Sequence, residues 1–86
     1  MKRTYLRHCM LHACWVGRVR LCPSGTGREF DIQSTVSPYV QMARALNWLL
    51  DNGLASGCGG WIQPNASGLD VLSKWDAKYG AVSGGV

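Results

Sequence analysis

The stretch Ser37 to Gln63, SPYVQMARALNWLLDNGLASGCGGWIQ, carries the start and stop of one helix and then the pieces of a hairpin. Ser37 is of the type that caps a helix start, because its hydroxyl can accept from a backbone N–H left unpaired in the first turn. Pro38 follows at the first helical position, where a missing N–H costs nothing and a fixed φ helps. Asn52-Gly53 offers the left-handed residue on which helices stop. Between them Met42, Leu46 and Leu49 recur at helical spacing, flanked by Ala45 and Leu50. The pattern predicts a helix over 38–52. Leu54 and Ala55 then begin a strand, Ser56 to Gly60 can turn the chain, and Trp61 and Ile62 begin the return that Pro64 ends. This predicts a hairpin over 54–63.

The flanking segments are patterned too. Leu6, Cys9, Met10, Ala13 and Val16 fall three and four apart and define the apolar face of a helix over 3–16, stopped by Gly17. Arg3, Arg7 and His8 fall mostly off that face. Arg18 to Cys22 alternates basic and apolar residues, as a strand does, and Pro23 to Gly27 is turn chemistry. Phe30, Ile32 and Val36 also alternate with polar residues, favouring a strand, with a helix kept as the alternative for 29–36. The region 18–36 is thus expected to be extended, as a hairpin. Ser67 with Asp70 resembles a capping box. Leu69, Leu72, Trp75 and Tyr79 line one face of a final helix over 67–79, which Gly80 stops. The expectation is one α+β domain over 1–79, with 80–86 as a flexible tail.

At 86 residues the chain can bury one modest core, roughly 60–65% of its unfolded surface. A hydrophobic content of 47% against 16% charged residues excludes a disordered chain. Arg7, His8 and His12 interrupt the apolar run that a signal peptide would need after Lys2 and Arg3, and no stretch is long enough to span a membrane. The protein is therefore expected to be cytoplasmic, with its four cysteines reduced. The net charge of +4 permits an acidic partner, and six of the nine basic residues precede position 30.

Catalytic and metal chemistry find little support in the spacing. His8 and His12 are four apart and share a helix face, a spacing that can hold a metal, but only Cys22 or Cys58 could complete the set. They read as two surface histidines. The same cysteines and histidines could make a nucleophile and base, yet nothing in the spacing selects them. Gly25 and Gly27 are not followed by the Lys-Ser/Thr of a phosphate loop. No metal, cofactor or enzymatic activity is expected.

The order of elements, with Val36-Ser37-Pro38 opening a helix that closes on Leu46, Leu49, Asn52-Gly53-Leu54, resembles a winged helix-turn-helix domain over about residues 36–73. Gly59-Gly60-Trp61-Ile62 would form the tip and return of the wing, and Ser67 to Leu72 the start of the helix after it. The resemblance implies a transcriptional regulator that reads double-stranded DNA with the helix 38–52. Its expected contacts are Tyr39, Gln41, Arg44 and Asn47, with Lys2, Arg3, Arg7, Arg18 and Arg20 on phosphates. A homodimer follows if its sites are symmetric. The family also has a short helix just before its recognition helix, for which only residues 29–36 are available. Trp48 and Asp51 suit a protein surface better than DNA. The alternative is a protein-binding module docking through Tyr39, Trp48 and Trp61, similar in size to accessory proteins and inhibitors of phages and mobile elements.

Overall fold

The first helix, α1 (Arg3–Trp15), is buried around most of its circumference, with neighbours covering it on several sides. Leu6, His8, Cys9, Met10, Leu11, Ala13 and Cys14 are all buried. They pack against α2 (Tyr39–Asp51), α3 (Ala66–Tyr79) and the strand β4 (Trp61–Pro64). The other strands are β1 (Val19–Cys22), β2 (Glu29–Ile32) and β3 (Ala55–Cys58). This computed structural model describes residues 3–22, 29–33, 37–58 and 60–80, with the backbone alone at Arg3 and Cys58.

The described residues form an α+β domain with three helices and one four-stranded antiparallel sheet, in the order β2-β1-β4-β3. Two hairpins make the sheet. In the first, Val19 pairs with Ile32 and Leu21 with Phe30; in the second, Ser56 pairs with Gln63 and Gly57 with Ile62. Arg20 opposite Trp61 joins them, with the Leu21 N–H donating to the Gly60 carbonyl at 2.7 Å. Alternation along each strand sends Val19, Phe30, Ala55 and Ile62 into the core, where they meet Met10, Leu46, Leu49 and Leu72 of the helices. Arg20, Asp31, Ser56, Trp61 and Gln63 stand exposed on the opposite face, which no described element covers. No helix among the described residues is long and apolar enough to cross a membrane.

The helices and the second hairpin fall within a residue or two of the expected bounds, β2 ends at Ile32, and the differences have physical causes. The first helix ends at Trp15, so Val16 is exposed rather than on the apolar face. Gly17, Gly53 and Gly80 take positive φ at the three stops. Residues 29–32 are strand and not helix, because β1 offers them a ladder of matching polarity. Ser37 is not the cap of α2. Pro38 holds that place in extended conformation, its carbonyl accepting from Gln41 and Met42, while the Ser37 hydroxyl donates to the Gln41 side chain at 2.6 Å. The third helix is capped by Asn65 rather than Ser67. The Asn65 Oδ1 accepts from the Gly68 N–H at 2.9 Å while its Nδ2 donates to the Gly53 carbonyl at 2.6 Å. A cap that also ties the helix to the preceding loop wins over one that serves the helix alone. The expected turn 23–27, residues 28 and 34–36 of the extended region, Gly59 of the hairpin tip and all but Gly80 of the tail lie outside the described residues.

Candidate nucleic-acid interface

Helix α2 has two unlike faces. Met42, Ala45, Leu46 and Leu49 are buried. Val40, Gln41, Arg44 and Asp51 are exposed on the other side, with Asn47 and Trp48 half-buried at its margin. Three and four residues apart, Gln41, Arg44 and Trp48 make a continuous stripe. The indole of Trp48 packs against the core and is not bare on its outer side. The Arg7 guanidinium of α1 lies over it, 3.9 Å from the ring centre, a cation–π contact between the two helices. The stripe thus presents an amide and a guanidinium, with a second guanidinium at its edge.

The expected phosphate contacts are divided by the fold. Arg7 joins Gln41, Arg44 and Asn47 on the α2 side. Arg20 does not: it stands on the uncovered face of the sheet, 5.1 Å over the Trp61 ring and directly across from Asp31. Arg18 is half-buried just before β1. Lys2 and the side chain of Arg3 lie outside the described residues. Tyr39 has a structural task, since its hydroxyl accepts from the Phe30 N–H at 3.0 Å. Phe30 sits on β2, an edge strand, and the Tyr39 hydroxyl occupies a donor that would otherwise be open on that edge. The three aromatic residues expected for protein docking occupy separate places: Trp48 under Arg7, Tyr39 beside β2, Trp61 on the sheet face.

The histidines behave differently from one another. His8 is fully buried, not a surface residue, and its Nε2 lies 2.6 Å from the Asp76 Oδ1 of α3. The rings of Tyr5, Trp75 and Tyr79 surround it at 6.0–6.5 Å between centroids. Its Nδ1 is buried and meets no hydrogen-bond partner among the described residues. With Nε2 held by Asp76 and Nδ1 sealed from solvent, the imidazole exposes neither nitrogen to a metal or a substrate arriving from solution. No three His, Cys, Asp or Glu side chains among the described residues gather as metal ligands. His12 is half-buried beside Trp15, and its pKa is held below the ordinary value, first by burial. Cys9, Cys14 and Cys22 are free thiols.

The pattern along the chain missed His8, Asp76, Asn65 and Gly68 as organising residues. Only Asn65 had a local signal, as a capping residue three before the N–H it holds. Compared with known proteins, the chain matches no family model, no curated protein and no solved structure.

Proposed function

We propose that this protein binds double-stranded DNA through the exposed face of α2, as a small cytoplasmic regulator of winged-helix type. Gln41, Arg44 and Asn47 face base edges, the arginine suited to guanine and the amides to adenine. Arg7 holds a phosphate beside them. The observation that carries the reading is the Arg7 guanidinium seated on Trp48, next to Arg44 on the stripe. It turns the apparent misfit of an indole on a reading helix into a cationic edge. In this reading the β3–β4 hairpin takes the place of the wing. Since β2 occupies the stretch before α2, support comes from the side chains of α2 rather than from a complete helix-turn-helix.

The test is fluorescence anisotropy with random duplex DNA at low and then moderate salt. Micromolar binding that weakens steeply with salt and drops in Arg44→Ala is expected. No binding at low salt would overturn the reading.

A second reading, docking on a protein, is favoured by Trp61, which is exposed beside Arg20 on the uncovered sheet face. Such binding would depend weakly on salt and be lost in Trp61→Ala while Arg44→Ala left it unchanged.

A further inference from the structure

Arg7 and Trp48 come from different helices and meet at the rim of the proposed DNA-binding face. We propose that Trp48 is a positioning residue for phosphate binding: its indole holds the Arg7 guanidinium where a phosphate beside Arg44 can be met. The inference rests on the DNA-binding reading and names how one of its contacts is built.

The geometry supports it in three ways. First, the indole is itself fixed, because Trp48 is half-buried and packs against the core. Second, the guanidinium centre is 3.9 Å from the ring centre, so the cation rests on the ring rather than passing near it. Stacking occupies the flat surface of a guanidinium and leaves its in-plane N–H groups as donors, and those are the groups that meet phosphate oxygens. Third, Trp48 lies one helical turn from Arg44 on the same face, so the stack brings a second cation to the stripe that carries the first. An unrestrained arginine would lose its rotamer freedom on binding a phosphate. One already seated on an aromatic ring loses less.

A merely structural stack would be read in stability and not in the salt dependence of DNA binding. The experiment is therefore a double-mutant cycle on the full chain, read by anisotropy against salt with random duplex DNA, each variant checked by thermal melting. Arg7→Ala and Trp48→Leu should each lower the salt slope by about 0.9, one phosphate contact, and weaken binding about eightfold at about 0.1 M salt. The double variant should bind no worse than either single one, because both remove the same contact. Trp48→Phe, which keeps an aromatic face, should restore most of the loss. Arg7→Lys, which keeps the charge but stacks less well, should lose part of the eightfold. Wild-type affinity in Arg7→Lys, or an unchanged slope in Trp48→Leu while the wild type binds, would overturn the positioning role and leave the α2 reading in place. Failure of the wild type to bind would remove both.

Discussion

His8, fully buried on α1, meets Asp76 of α3 at 2.6 Å, 68 residues further along the chain. The bond ties the last helix to the first at a point that solvent does not reach from the histidine side. Removing the carboxylate would leave a buried imidazole with neither nitrogen satisfied. Asp76→Ala should therefore cost about 1–3 kcal/mol of stability. The double variant His8→Leu/Asp76→Ala, which removes both polar partners, should recover part of that loss. Urea unfolding measures both. Equal stability of Asp76→Ala and wild type would mean that the pair does not hold α3.

His12 predicts how stability responds to acid. Burial lowers its pKa from the ordinary 6.5; Asp76 pulls it back up, and Arg18 and His8 push it further down. The unfolded chain thus takes up the His12 proton at higher pH than the folded one. Stability is unaffected by this group well above pH 6.5 and decreases as pH falls from there through the folded-state pKa. Between pH 7.5 and about pH 5 the wild type should lose more thermal stability than His12→Gln. Parallel melting curves against pH for the two proteins would rule out His12 as the source.

The start of α3 predicts a strict requirement for glycine. A Cβ at Gly68 would stand 1.8 Å from the Leu54 carbonyl oxygen, a backbone atom that cannot swing aside. Gly68→Ala should force α3 away from the loop and cost at least about 1–3 kcal/mol, despite the better helix propensity of alanine. Asn65→Ala removes the cap and the bond to the Gly53 carbonyl together, and about 1–2 kcal/mol is expected. Because both residues secure one junction, the double variant should cost less than the two separate losses added.

That junction also shows where the sequence was legible. Helix limits could be read from Gly17, Gly53 and Gly80, because a left-handed residue at a helix stop is a local demand. The first hairpin could be read from alternation, the second from its glycine-rich turn and Pro64, and the exposed side of α2 from its period. The choice between Asn65 and Ser67 as cap could not, since both obey the local rule and only the approach of Gly53 separates them. The burial of His8 was hidden for the same reason. On the periodicity of α1 it falls off the apolar face, and its cover comes from Trp75, Asp76 and Tyr79, most of a chain away. The joining of the hairpins through Arg20 and Trp61 is likewise a long-range pairing that no local pattern encodes. The separation of Arg20 from Arg7 and Arg44 has the same origin, because which face of a sheet a strand residue occupies depends on where the helices lie.

Tyr39 separates a structural role from a binding one. Its hydroxyl accepts the Phe30 N–H on the edge of the sheet. Tyr39→Phe keeps the ring and removes the acceptor, and should cost about 1 kcal/mol. Under the DNA reading it should leave the salt slope unchanged, because no charge is lost. A fall in slope would place Tyr39 in the contact surface after all.

The thiols make the burial of α1 measurable. Cys9 and Cys14 are buried, and burial pushes the Cys14 thiol up to about 12, so it holds almost no thiolate at neutral pH. The Cys9 thiol is raised as well, first by burial, with its hydrogen bond to Tyr5 acting the other way. Cys22 is half-buried at the end of β1, on the side of the sheet away from the core. The thiolate is the species that an alkylating reagent attacks, so both access and ionisation protect the two helix cysteines. In Cys58→Ser, mild alkylation of the folded protein should modify Cys22 first. Cys9 and Cys14 should react only as fast as the molecule opens, and in step with each other, because one helix carries both into the same core. Their labelling should accelerate together in Asp76→Ala if the tie to α3 helps keep α1 enclosed. Rapid labelling of Cys14 in the folded wild type would contradict the central place of α1 in the core.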